Sequence, residues 1–87
     1  MNEEKVRRIV FDALRRIAPE IDPGTLQGKE RLRDQVDLDS MDFLSLVIDL
    51  HKQLGVEIPE TDYPQVATLD DMVRYLLMRT GAAGQRP

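Results

Sequence analysis

The feature that most restricts the fold of this chain is the run Val36-Asp37-Leu38-Asp39-Ser40-Met41-Asp42-Phe43-Leu44-Ser45-Leu46-Val47-Ile48-Asp49-Leu50, where an acidic segment passes into a strongly apolar one. Asp39 is a good N-cap, and Asp42, three residues on, is an acidic counterpart of the Glu in a capping box. A helix is therefore expected to begin within a residue of Ser40. That makes Ser40 an exposed hydroxyl at a helix mouth, where added negative charge would lie beside free backbone N–H groups and the positive end of the helix dipole. At about 100° per residue, Phe43, Leu46, Val47, Leu50 and Leu54 share one arc, while Met41, Leu44 and Ile48 form a second arc on the far side of Ser40. Asp42, Ser45, Asp49, Lys52 and Gln53 make a narrow polar strip. One arc can serve a core; the other is either covered or left for a partner.

The rest of the chain supplies what such a helix would pack against. Val6, Ile9, Val10, Ala13, Leu14 and Ile17 follow the i, i+3, i+4, i+7 pattern after a plausible start at Asn2, Glu3 and Glu4, which predicts an amphipathic first helix. Its outer face carries Arg7, Arg8, Arg15 and Arg16 interleaved with Glu3, Glu4 and Asp12. A solvated face is a better reading of these than a phosphate or nucleic-acid patch. Pro19, Asp22, Pro23, Gly24 and Gly28 then break periodicity for about twenty residues, and so long a connection needs pins. Ile21, Leu26, Leu32 and Val36 are the candidates, with Lys29, Glu30, Arg31 and Arg33 left in water. Gly55 is a natural helix stop, and Val56-Glu57-Ile58-Pro59 reads as extended. Between Glu60 and Val66 only a brief or partly 3₁₀ helix is expected, because Pro64 suits only a first helical turn. Thr68 and Asp71 form another acidic capping box, and Leu69, Met72, Val73, Leu76 and Leu77 stripe a last helix ending near Thr80-Gly81. No repeat and no alternating strand is present. The chain reads as all-α, one small domain over residues 1–81 with a frayed tail over 82–87.

Composition narrows the partners. Lys and Arg total 12 against 16 Asp and Glu, a net charge of −4, which disfavours nucleic acid and anionic membrane and favours basic protein surfaces. With no cysteine the polypeptide has no disulfide, thiolate metal site or thiol nucleophile of its own. The apolar runs are too short to span a membrane and Met1-Asn2-Glu3-Glu4 is no signal peptide, so a cytoplasmic monomer is the expectation.

Asp39-Ser40-Met41-Asp42, the apolar helix after it, Gly55-Val56-Glu57-Ile58-Pro59 and Thr68-Leu69-Asp70-Asp71, at these distances, resemble an acyl carrier protein around its Asp-Ser-Leu attachment site. The likeness runs from about Leu32 to Leu77. The resemblance implies a small four-helix bundle of acyl-carrier type, with three main helices, one short third helix and a long first loop. It implies 4′-phosphopantetheine attached covalently to Ser40 by a phosphopantetheinyl transferase acting with coenzyme A. The thiol of that arm would hold acyl groups as thioesters for enzymes of fatty-acid, polyketide or related acyl metabolism. By the same resemblance Asp39 helps position the transferase, with magnesium held on the transferase side. Met41, Asp42, Leu44 and Ile48 would join Asp39 in partner recognition. Val36 stands where members usually place Leu, and Asp37 where many have Gly, although Asp reaches left-handed conformations less readily. Ser45, His51 and Lys52 replace glutamates that many fatty-acid carriers present. The Gly-Gly-(His or Asp)-Ser pattern of many peptidyl carriers is missing.

Catalysis and metal binding read poorly beside this. The single histidine, His51, lies eleven residues from Ser40 along the same helix, about 16 Å by helical rise, so no local triad can form. Counted as a calcium loop from Asp37, the sequence has Asp42 where Gly belongs and Ile48 where the bidentate Glu belongs. The chain is thus expected to be no enzyme and to bind no metal. The rival reading is a helical adaptor that binds a protein through Met41, Leu44 and Ile48 with Ser40 unmodified. Phe43, on the inward arc, is bulky enough to limit an acyl chain admitted between the helices.

Overall fold

A computed structural model describes residues 2–22 and 24–80. Four α-helices, α1 (Glu3–Ile17), α2 (Leu32–Gln35), α3 (Ser40–Leu54) and α4 (Leu69–Arg79), are joined by loops and by a 3₁₀ helix over Glu60–Val66. The helix α1 packs against both α3 and α4, and the 3₁₀ helix packs against α4. No helix among the described residues is long and apolar enough to cross a membrane.

The helix α1 starts as its sequence predicts. The Asn2 side chain accepts the Lys5 N–H at 2.9 Å, Glu3 and Glu4 occupy the positive end, and Arg15 and Arg16 the negative end. Val6, Val10, Ala13 and Leu14 are fully buried, while Ile9 and Ile17, at the edges of the stripe, are half-buried. The core they enter is completed by Leu32, Leu46, Leu50, Val66, Met72 and Leu76, all with no exposed surface. Each such aliphatic side chain contributes roughly 1.5–3 kcal/mol by leaving water. Among the described residues no polar or charged residue is buried with them.

The long first loop is pinned by more than apolar side chains. Ile21, Leu32 and Val36 are buried and Leu26 is half-buried, as anticipated, and Leu38 joins them. Polar bonds hold the backbone between these pins. The Gln35 amide accepts the Gln27 N–H at 2.6 Å and donates to the Gln27 and Glu30 carbonyls at 2.7 and 3.0 Å. The Leu32 N–H reaches the Ala67 carbonyl at 2.9 Å, and the Asp70 N–H reaches the Gly28 carbonyl at 3.0 Å. The loop is therefore fastened to the start of α4, and the single turn α2, which periodicity did not reveal, forms at that junction.

Three local expectations are corrected. Pro64 is the fifth residue of a seven-residue helix that is 3₁₀ throughout, not in its first turn. A 3₁₀ helix so short loses little from one missing N–H. At the start of α4, Thr68 Oγ1 accepts the Asp71 N–H at 3.0 Å, but the reciprocal bond is absent among the described residues, so only half the box forms. In α4 the buried set includes Tyr75, while Leu77 is only half-buried. The 3₁₀ helix causes this, because Asp62 accepts the Tyr75 hydroxyl at 2.6 Å and lets the ring turn inward. Gly81 and the expected tail over 82–87 lie outside the described residues.

Candidate functional site

Ser40 is the first residue of α3 and is exposed. Asp39, in extended conformation, accepts the Asp42 N–H on its carboxylate at 2.8 Å, and the Asp42 carboxylate accepts the Asp39 N–H at 3.4 Å, so the full capping box is present. The Phe43 N–H takes the Asp39 carbonyl at 3.0 Å. This leaves the backbone N–H groups of Ser40 and Met41 with no protein partner among the described residues. The Ser40 hydroxyl makes no side-chain hydrogen bond to them either. An accessible, uncommitted hydroxyl with two uncommitted donors at the positive end of a helix fits a phosphodiester.

The backbone reaches this point without strain. Among the described residues no side-chain-bearing residue has positive φ, so Asp37 needs none of glycine's freedom. The residue that does need it is Gly55, at φ 69° and ψ 18°, where α3 ends with the Gly55 N–H on the His51 carbonyl at 2.8 Å.

The two arcs of α3 separate as the spacing implies. Phe43, Leu46, Val47 and Leu50 are buried. Met41, Leu44 and Ile48 are 74, 45 and 47 % exposed, so they form an apolar surface running from Ser40 down one side of the helix. The strip between is less free than its charges suggest. Arg16 of α1 donates to the Asp49 carboxylate at 2.6 and 3.2 Å, which ties α1 to α3. His51 is exposed.

Close to Ser40 along the chain lies a feature the sequence did not reveal, a recess of about 450 Å³ lined by Arg31, Arg33, Asp34, Leu38, Phe43, Tyr63 and Ala67. The Phe43 ring meets the Tyr63 ring edge-on, with centroids 5.1 Å apart. No periodic pattern links residues 31–34 to Tyr63; only the packing of the 3₁₀ helix brings them together.

Elsewhere the electrostatics are structural. Arg7 donates to Glu3 at 3.1 Å and Asp70 at 3.0 Å, and the Glu3 bond leads in holding its guanidinium above the ordinary range. Burial, then the hydrogen bond to Asp62, pushes the Tyr75 hydroxyl pKa up. Arg79 completes that group, 3.4 Å from Asp62 and 4.3 Å above the Tyr75 ring. No cluster of potential metal ligands occurs among the described residues.

With this geometry in view, residues 4–76 match the family model described as the phosphopantetheine attachment site. The chain is 27% identical over 78 residues to an acyl carrier protein of Thermotoga maritima, covering 86% of this chain and 96% of that one. It is 30% identical over 70 residues to an acyl carrier protein of Campylobacter curvus, covering 77% and 91%. A solution structure from Anaplasma phagocytophilum, described as a candidate acyl carrier protein, superposes with a TM-score of 0.78 at 26% identity over 91% of this chain and 92% of that one. A match across nearly the whole helical domain, on a fold that leaves a serine uncommitted at the head of its central helix, makes this chain a member of the acyl carrier protein family, carrying acyl groups on a covalently attached 4′-phosphopantetheine.

Proposed function

We propose that Ser40 is the residue that carries the arm. We also propose that Asp39, Met41, Asp42, Leu44 and Ile48 form the surface met by the transferase and by acyl-processing enzymes. The observation that carries the reading is the state of Ser40: exposed, first in α3, and beside two uncommitted backbone N–H groups. When bound, the group supplies the thiol on which acyl groups are held as thioesters.

The chain's own part is positional. Asp39 accepts the Asp42 N–H and so serves first to cap α3. The uncommitted N–H groups of Ser40 and Met41, together with the helix dipole, would favour the negative charge of a phosphodiester carried on Ser40. Met41, Leu44 and Ile48 offer apolar area beside the attachment point, the kind of surface a transient partner can desolvate. Acyl carrier proteins as a family are carriers rather than catalysts. The adaptor alternative, with Ser40 unmodified, is not favoured by the family match.

Tandem mass spectrometry after incubation with coenzyme A and a broad-specificity transferase tests the reading. The added group is expected on the peptide containing Ser40 and on that residue; its appearance on Ser45 would overturn the assignment.

A further inference from the structure

We infer that Gln35 is a positioning residue for attachment of the arm: by clasping the first loop it holds the segment that leads into Ser40 in the arrangement the transferase meets. The inference deepens the proposal that Ser40 carries the arm and rests on it. Gln35 is the last residue of α2, half-buried, five residues before Ser40. Its side-chain amide is fully employed on the loop. The Gln27 N–H donates to Oε1 at 2.6 Å, and Nε2 donates to the Gln27 and Glu30 carbonyls at 2.7 and 3.0 Å. Among the described residues no other hydrogen bond or ion pair joins residues 24–30 to residues 32–39.

The clasp has a specific chemistry. One side chain must meet both the N–H and the carbonyl of the same residue, which a neutral amide does and a carboxylate or an ammonium does not. Main-chain bonds fix the loop to α4 at Gly28, by the Asp70 N–H, and at Leu32, on the Ala67 carbonyl. Gln35 fixes the other end of α2, the end that continues into Ser40. From there the chain has little freedom. The Val36 N–H is on the Leu32 carbonyl at 2.9 Å, the Leu38 N–H is on the Val36 carbonyl at 2.7 Å, and both side chains are buried. Without the clasp the loop would open and close on otherwise folded helices, and only the closed fraction would offer Ser40 its native flank. Such a loss lowers apparent affinity by that fraction and leaves the bound complex, closed again, to react at its usual rate.

The test compares the wild type with Gln35→Met, which keeps an unbranched side chain of similar length but makes no such hydrogen bonds, and with Gln35→Ala. Steady-state kinetics take the apo protein as the varied substrate of a broad-specificity transferase with saturating coenzyme A, and NMR follows amide hydrogen exchange in the same apo proteins. In both variants KM for the protein is expected to rise roughly three- to tenfold with kcat unchanged, the range for losing a few partly solvated hydrogen bonds. Exchange at the Gln27, Val36 and Leu38 amides should quicken, while the core amides of Leu14 and Leu50 exchange as in the wild type. A KM that does not move overturns the inference, as does a fall in kcat alone. A raised KM with unchanged exchange at Val36 and Leu38 overturns it too, because the transferase would then be touching Gln35 itself. Faster exchange at Leu14 and Leu50 would make Gln35 a prop of the whole fold and overturn its positioning role. Absence of the arm from Ser40 of the wild type, seen by mass spectrometry, overturns the attachment proposal and this inference with it; an arm on Ser40 with equal KM in all three proteins overturns the inference alone.

Discussion

The carboxylate of Asp39 accepts the backbone N–H of Asp42 at 2.8 Å while the carboxylate of Asp42 accepts that of Asp39 at 3.4 Å, so the two acids flanking Ser40 first serve to start α3. Whether Asp39 also steers a partner is separable from this, because Asn caps a helix about as well as Asp but carries no charge. Asp39→Asn is expected to keep the helix content by circular dichroism yet to be modified more slowly by the transferase. The deficit should shrink as salt is raised, since screening removes the wild type's advantage. Met41→Ala should slow modification by an amount salt hardly changes. A wild-type rate for Asp39→Asn in low salt would leave Asp39 as a cap and nothing more.

The two arcs of α3 should differ in stability. Leu46→Ala or Leu50→Ala removes a side chain with no exposed surface and is expected to cost about 2–5 kcal/mol in a denaturant titration. Met41, 74 % exposed, should cost less than about 1 kcal/mol on the same change. Equal losses at Met41 and Leu50 would show that the outer arc is buried and cannot be a docking surface.

Gly28 approaches Asp70 so closely that an added Cβ would lie 2.8 Å from the Asp70 Cγ. Asp70 is held there by Arg7 and by its own N–H on the Gly28 carbonyl. Gly28→Ala should therefore displace the carboxylate and cost about 1–3 kcal/mol. In an Asp70→Ala background, where the obstacle is gone, most of that cost should disappear in a double-mutant cycle. Additive effects would mean the contact is not what restricts residue 28.

Most of the architecture was legible because it is written in local periodicity. The stripe from Val6 to Leu14, the capping box at Asp39 and Asp42 and the stop at Gly55 each depend on residues within a few positions of one another. What was hidden depends on distant pairs. The role of Gln35, the inward turn of Tyr75 onto Asp62, the bond from Arg16 to Asp49 and the recess joining Arg33 to Tyr63 all need elements far apart in sequence to be placed first. At the site, spacing was enough to separate Met41, Leu44 and Ile48 from the core arc. It could not show that Asp49 is engaged by α1 or that Arg31 and Arg33 line one recess with Phe43 and Tyr63.

Tyr75 gives a pH prediction. Its folded pKa is raised above the ordinary value of 10.0, chiefly by burial and then by the hydrogen bond to Asp62. The protonated ring thus contributes stability that is fully present below pH 10 and is lost as pH rises from there through the folded pKa. Stability measured by denaturant should fall over that alkaline range in the wild type and fall less steeply in Tyr75→Phe. Parallel profiles would show that the Asp62 contact is not coupled to the fold.

The most direct measurement of the central claim is the intact mass of the wild type, Ser40→Ala and Ser45→Ala after co-expression with a phosphopantetheinyl transferase, with circular dichroism on each. The account predicts one added phosphopantetheine on the wild type and on Ser45→Ala. It predicts none on Ser40→Ala, with undiminished helix content in all three, because Asp39, not Ser40, caps α3. An added group that persists in Ser40→Ala, or that disappears in Ser45→Ala while Ser40 is intact, would contradict it.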